Sequence, residues 1–367
     1  MMKKDDLLNM IALQMVPLVG PKLAKILIAY CGGPEAVFYE KRKSLEKIPG
    51  IGRKIADSLL TFKDFERAEQ EIEFTEKHNI QIRSYLGRNY PERLRHIDDA
   101  PLLLFSKGNC DLNYNRMIAI VGTRNATDYG KEMCKKLIDE LKVYNPLIVS
   151  GLAFGIDHCA HKHALANELE TVAVLGHGLD TIYPGQHRSI AKEISNHGCL
   201  LTEYVSGTKP DKMNFPERNR IVAGMVDGLV VVESGLKGGA LITADIAFSY
   251  NREVFALPGR TSDDYSSGCN RFIKLNKAAL VENANDIAYA LGWDLKTAEV
   301  NVKKPSLLEL DDAELKLVEL LGQNGKVHID QISPQAGLNN SELSYHLLDL
   351  EFRGYIKAYP GNYYKKI

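Results

Sequence analysis

Six short apolar runs, each ending in a loop and separated by amphipathic stretches, constrain this chain more than any other feature. They are MIAIVG (117–122), LIVSG (147–151), TVAVLG (171–176), CLLTEY (199–204), DGLVVVES (227–234) and EVFALPG (253–259). Each is β-branched and apolar almost without interruption, the pattern of strands buried on both faces in a parallel sheet. The segments between them read as helices. In 127–144, Tyr129, Met133, Leu137 and Leu141 recur at spacing four as one buried stripe, with Thr127 or Asp128 as the cap. Strand and helix in alternation, joined by right-handed crossovers, predict a doubly wound α/β domain with a parallel sheet.

The flanks read differently. Residues 1–80 look helical throughout. LVGPKLAKILIAY (18–30) and IPGIGRKIADSLL (48–60) share an apolar-x-Gly turn, a basic residue and an apolar helix. This is the hairpin of a helix-hairpin-helix, or SAM-like, module: glycine permits the tight turn, and the next helix presents free amides to a phosphate. Residues 41–54 hold six bases against Glu46 alone, and Arg53 and Lys54 are the secondary phosphate candidates there. Residues 81–113 are a connector with one short strand in PLLLFSKG (101–108), counted with the α/β domain of 81–293. Residues 294–306 are polar, contain Pro305 and read as a linker. The tail, 307–367, reads as helices over 312–322, 329–336 and 340–353, then a hairpin about Pro360-Gly361, a winged helix. Residues 306–367 carry nine acids and six bases. The third helix has Glu342, Asp349 and Glu351 against Arg353, a face that repels phosphate, so the tail reads as a protein-interaction domain rather than a duplex binder.

Composition bounds the function. The 367 residues suffice for two or three domains of roughly 100–200 residues each. Lys plus Arg is 46 and Asp plus Glu 47, so a polyanion site has to be local. Six cysteines lie scattered with no C-x-x-C, which predicts reduced thiols and neither a disulfide framework nor a thiolate zinc site. The opening segment is apolar but broken by Asp5, Asp6, Asn9 and Gln14, an amphipathic helix rather than a signal peptide. No run of about 18 apolar residues predicts a membrane span.

In a doubly wound sheet ligands bind beyond the carboxyl ends of the strands. There the chain places Gly122-Thr123-Arg124, Gly151 with Gly155 and Asp157, Gly176-His177-Gly178, Lys209 and Lys212, Phe215-Pro216-Glu217-Arg218-Asn219-Arg220, Glu233, Gly238-Gly239 with Thr243, and Gly259-Arg260. Glycines let amides close on an anion, each following helix adds its positive end, and Arg124, Lys212, Arg218 and Arg220 add full charges. A mononucleotide or a nucleic-acid backbone fits. A dinucleotide fits worse, because the first turn reads GTRNATDYG rather than G-x-G-x-x-G. Phe215 either staples its helix or stacks on a base. The run Asp157-His158-Cys159-Ala160-His161-Lys162-His163 looks metal-like, yet no one helical face collects three ligands, and Asp157 reads as a cap. Glu203 and Glu233 read as carboxylates that bind loop backbones, since no nucleophile or metal cluster accompanies them.

IAIVGTRNATDYG, VSGLAFGIDHCAHKHAL, TVAVLGHGLDTIYPGQHRSI, NFPERNRIVAGMVDGLVVVESG, LITA and ALPG resemble, in order, the motifs of the DNA-processing protein A (DprA/Smf) family. The resemblance spans about residues 80–293, and the flanks match a common layout of that family. It implies an extended Rossmann-like domain in a non-enzymatic, cytoplasmic, homodimeric protein with no cofactor. Such a protein binds single-stranded DNA and helps load the RecA recombinase in natural transformation. By motif position it implies Arg124, Lys212 and Phe215 as DNA contacts, with Arg218, Asn219 and Arg220 shaping the same pocket. Gly238-Gly239-Ala240 replaces the family's usual Ser-Gly-Ser, losing two hydroxyls. Arg271, Lys274 and Lys277 in the later motif extend a basic rim.

Two other readings compete. A nucleoside-monophosphate phosphoribohydrolase has a related sheet and a Gly-rich phosphate loop, and Glu233 before Gly238-Gly239 is its faint trace. A transcription regulator would use the tail, against which the acidic third helix stands.

Overall fold

The computed structural model describes residues 4–293, 310–323, 327–336, 338–352, 355–359 and 363–366. The chain divides into two compact units, residues 1–294 and 295–367. The linker read at 294–306 and the turn at Pro360-Gly361 lie outside the described residues.

The first unit is built on nine strands: β1 (Gln81–Ser84), β2 (Leu103–Gly108), β3 (Met117–Val121), β4 (Leu147–Ser150), β5 (Thr171–Val174), β6 (Gly198–Thr202), β7 (Gly228–Val231), β8 (Glu253–Ala256) and β9 (Ala279–Leu280). Their order is β1-β2-β6-β5-β4-β3-β7-β8-β9. The seven strands from β3 onward pair in parallel, while β2 runs antiparallel to β1 and β6. All six apolar runs are strands of the parallel part; β1 and β9 lie outside those runs. Every residue of β3 is buried, with Met117, Ala119 and Val121 in one core and Ile118 and Ile120 in the other. The period of two thus feeds a core on each face, the physical content of a doubly wound sheet. From β3 the chain winds outward through β4, β5 and β6, then returns to β7 on the other side of β3. The carboxyl ends of β3 and β7 flank that reversal, where open α/β sheets bind ligands.

Six helices precede the sheet: α1 (Lys4–Met15), α2 (Pro21–Cys31), α3 (Pro34–Tyr39), α4 (Arg42–Leu45), α5 (Arg53–Thr61) and α6 (Phe65–Lys77). Gly20 and Gly52 are the N-caps of α2 and α5, and Gly50 turns the second hairpin at φ +83°. The core of these helices includes Leu103 and Phe105 of β2 and neighbouring Leu102. The helical module that the sequence sets off at residue 80 therefore shares its core with the sheet edge.

The sheet is covered by α7 (Glu92–Arg95), α8 (Asp128–Leu141), α9 (Ile156–Ala166), α10 (Arg188–Asn196), α11 (Asn214–Gly224), α12 (Gly239–Ser249), α13 (Ser267–Lys274) and α14 (Ala284–Ala290). Thr127 caps α8, its side chain accepting from the Gly130 amide at 3.1 Å. The stripe read at spacing four is corrected. Tyr129 is exposed and Met133 only partly buried, whereas Gly130, Cys134, Leu137, Ile138 and Leu141 face the core. A strict spacing of four drifts around a 3.6-residue helix, and the true stripe mixes threes with fours. The expectation of six reduced thiols is corrected too, because Cys110 and Cys199 form a disulfide between the end of β2 and β6.

The second unit holds α15 (Asp312–Gln323), β10 (Val327–His328), α16 (Ile329–Ala336), α17 (Asn340–Phe352), β11 (Ile356–Tyr359) and β12 (Tyr363–Lys366). Its strands pair β10-β12-β11, the wing sheet of a winged helix, with β10 an addition to the elements read from sequence. Leu317, Leu321, Ile332, Leu343, Leu347 and Ile356 form its core.

Candidate nucleic-acid interface

Helical periodicity decides what α11 presents. Phe215, Arg218, Asn219 and Val222 sit at i, i+3, i+4 and i+7, so they share one face. All four line a cleft of about 280 Å³ with Gly122, Thr123, Arg124, Gly151, Ala153, Asp157, Gly238, Gly239, Ala240 and Thr243. Arg220 is two residues from Arg218 and points to the opposite face. It is excluded from the cleft, as a correction to its place in the predicted pocket: its guanidinium donates to the Asp99 carbonyl at 2.7 Å and pairs with Glu203. Glu203 is corrected with it, since this carboxylate meets a side chain rather than a loop backbone. Burial pushes its acid up to about 7, against the pull of Arg220.

The loop after β3 is held from below. The Glu233 carboxylate accepts from the Thr127 amide at 2.9 Å and the Thr127 hydroxyl at 2.6 Å, and its carbonyl accepts from the Thr123 amide at 2.7 Å. A Cβ on Gly130 would stand 2.3 Å from that carboxylate, which is why glycine is needed there. Glu233 is thus a buried fastener. The same bonds consume the Thr123 amide, so the expected anion donor at Gly122-Thr123 is corrected: this turn supplies shape and Arg124, with the Thr123 amide spent internally.

Of the helix starts at this rim, α8 is closed by Thr127 and Glu233. At α9 the Ile156 amide donates to the Thr123 carbonyl, and the Asp157 carboxylate accepts from the Ala153 amide at 3.3 Å. The start of α12 is different. Gly238, Gly239 and Ala240 line the cleft; the Gly238 amide donates to the Gly235 carbonyl and the Leu241 amide to the Gly238 carbonyl, which leaves the Gly239 and Ala240 amides, with the helix dipole, to favour an anion. Thr243 lies one turn on, buried, its hydroxyl donating back to the Gly239 carbonyl at 3.4 Å.

Arg218 is the floor of the cleft. It is buried, donates to the Val174 carbonyl, and its Nε has no hydrogen-bond partner. Burial lowers its affinity for a proton, and Asp157 opposes that loss. A Cβ on Gly151 would lie 2.5 Å from Asp157 Oδ2 and 2.6 Å from Arg218 Nη1, so glycine makes room for both charges. Arg124 is the exposed cation at the mouth, its guanidinium 5.6 Å from the centroid of the Phe215 ring.

The sequence reading missed a second lobe. Phe154, His177, Tyr183 and Pro184 enclose about 120 Å³ beside the first lobe, sharing Arg124, Ala153, Phe215 and Arg218 with it. Phe215 stands against Gly176, where a Cβ would come to 3.0 Å of its ring, and its centroid is 6.0 Å from that of Tyr183. Because α11 begins at Asn214, Phe215 lies inside the first turn and is not the residue ahead of a cap that a staple requires. The signal for this lobe was in GHGLDTIYPG, whose tyrosine and proline follow the third strand of the series.

Other candidates lie elsewhere. Lys212 is exposed on the loop before α11, beyond the residues that line the cleft. Arg271 and Lys274 are exposed on α13, and Arg53 and Lys54 on α5. Lys277 is corrected from the basic rim, being paired with Asp245 at 2.6 Å. In the metal-like run, His161 is fully buried with one ring nitrogen on the Thr171 hydroxyl and the other on the Gly151 carbonyl, so it braces the cleft loop. Among the described residues no helix is long and apolar enough to cross a membrane.

A family model described as DNA recombination-mediator protein A matches residues 81–292, a DprA winged helix domain matches 301–362, and a SAM-like helix-hairpin-helix tandem matches 10–62. Protein Smf of Synechocystis sp. is 32% identical over 95% of this chain and 96% of its own length. DNA processing protein DprA of Streptococcus pneumoniae is 43% identical over 56% of this chain and 72% of its own. The X-ray structure of S. pneumoniae DprA superposes with TM-score 0.67 at 33% identity, covering 78% of this chain and 98% of that one. A Helicobacter pylori DNA processing protein A, whose structure was described for its single-stranded DNA binding mode, gives TM-score 0.52 at 31% identity over 57% of this chain and 95% of that one. With three matched domains in register and a relative aligned end to end, the chain belongs to the DNA recombination-mediator protein A (DprA/Smf) family.

Proposed function

We propose that the two-lobed cleft binds single-stranded DNA, and that the protein acts without catalysis as a cytoplasmic recombination mediator that helps load RecA in natural transformation. The observation that carries this reading is the convergence of Arg124, Phe215, Arg218 and Asn219 with the open start of α12 in one cleft. Cations and free amides suit phosphate, and the Phe215–Tyr183 lobe suits an unstacked base, which only a single strand offers. The H. pylori relative, described as a single-strand binder, supports the same assignment. Against the phosphoribohydrolase, Glu233 is 1% exposed and committed to Thr127, so it has no path to a ribose. The homodimer reading draws on the β9 edge, where Ala279 and Leu280 are exposed, as is Leu275 in the segment that leads from α13 into β9. Unpaired edges of this kind invite a second copy.

The test is oligonucleotide anisotropy with wild type and Arg124→Ala at two salt concentrations. The variant is expected to lose about tenfold in affinity and to flatten the salt slope by about 0.7, one phosphate contact on a single strand. Salt-independent binding, or a variant equal to wild type, sinks the assignment. Incubation with all four nucleoside monophosphates is expected to release no free base. RecA assembly on coated single strands is expected to accelerate with this protein.

A further inference from the structure

A second groove opens on the flank of the same sheet, outside the cleft. Its charged walls are Lys107 of β2 and Arg188 and Lys192 of α10, and its floor includes Ile182 and Leu200. Arg188 and Lys192 stand at i and i+4 on one face of α10, with Ser195 one turn further. Ile190 and Ile194 on the other side of that helix are buried in the core. Asp180 is the one acid among the described residues that line the groove, and its Oδ1 already accepts from the Gly207 amide at 2.8 Å. No ion pair within the described residues engages Lys107, Arg188 or Lys192. Three unpaired cations over an apolar floor suit a chain that carries phosphates on one side and bases on the other.

The groove and the cleft share a wall. Tyr183 and Pro184 line the aromatic lobe, while Thr181 and Ile182, in the same segment, line the groove. A strand leaving the lobe over this segment meets the start of α10 next. The helix then carries it for about 13.5 Å, the length of nine residues at 1.5 Å each, toward Lys107.

We infer that this groove is a second segment of the single-strand track, holding phosphates that lie beyond the cleft; the inference rests on the cleft being the primary site. It is tested on the full chain with Arg188→Gln/Lys192→Gln, using one oligonucleotide of about six nucleotides, enough for a single site, and one of about thirty. The long oligonucleotide is expected to bind about tenfold more weakly, with its salt slope flattened by about 1.4, two contacts at ~0.7 each. The short one is expected to bind as to wild type, and unfolding curves of the variant to overlay wild type. Equal loss at both lengths, or no loss at either, overturns the groove. Arg124→Ala separates the two claims. If it weakens both lengths while Arg188→Gln/Lys192→Gln weakens neither, the cleft stands and the groove falls. If Arg124→Ala weakens neither length, the cleft reading falls by itself.

Discussion

Two places in this molecule put a glycine ahead of a helix and basic residues beside it: the rim of the sheet at α12 and the hairpin that starts α5. They look alike in sequence and differ in what surrounds them. At the hairpin, a Cβ on Gly20 or Gly52 meets nothing within 4 Å, and Arg53 and Lys54 stand in solvent. At the rim, Gly239 is as open as Gly52, but Gly122, Gly151, Gly155 and Gly238 around it are crowded by backbone and side chains, a guanidinium is buried beneath, and an aromatic lobe adjoins. Amides and charges are common on surfaces, while enclosure by a packed scaffold is what fixes them for a ligand and removes competing water.

The difference can be attacked by substitution. The largest effect is expected at Gly155, which sits at φ +76° with the Thr123 carbonyl 2.1 Å from the position of a Cβ. Gly155→Ala should cost about 3 kcal/mol in stability. A melting temperature equal to wild type would mean the rim is not packed as described. Acid should act next, through His161. Its buried ring has a pKa lowered to about 4 from 6.5. Below 6.5 the unfolded chain takes up a proton that the folded ring refuses, so this contribution is complete above that pH and is lost as pH falls toward 4. The loss is up to about 3 kcal/mol at ~1.4 per unit. If His161→Gln destabilises with acid as steeply as wild type, the ring is not the cause.

Phe215→Ala should cost about 1–3 kcal/mol of single-strand binding by removing one stacking surface, with the salt slope unchanged. A flattened slope there would reveal displaced cations rather than lost stacking. At the hairpin the effects shrink. Gly52→Ala should cost about 0.5–1 kcal/mol of stability, since only its cap preference is disturbed. Arg53→Ala/Lys54→Ala should change single-strand affinity less than about threefold, as exposed charges do. A tenfold loss there would make the hairpin a site in its own right and erase the contrast.

Much of this architecture was legible because it repeats. The apolar runs mark the central strands at nearly their observed limits, since a strand buried on both faces tolerates few polar residues. Edge elements such as β1, β9 and β10 were not legible: β9 and β10 have two residues each, and β1 (QIRS) is mostly polar and mostly unburied, so none carries an apolar run. In the cleft, Arg124, Phe215, Arg218 and Asn219 were readable from the motif. Arg220 was misplaced by treating neighbours in sequence as neighbours in space. Lys277 was misplaced because Asp245, its partner, is 32 positions away on α12.

Sequence alone determined the kind of fold, the strand ends at which a ligand could sit and the residue types gathered there, because periodicity and glycine act locally through backbone geometry. Tertiary structure alone decided which charges remain available. Glu233 is spent on Thr127, Arg220 on Glu203 and Lys277 on Asp245, while Arg124 faces solvent over Phe215. Whether a charge is neutralised depends on partners that the chain brings near only when distant strands and helices close around it.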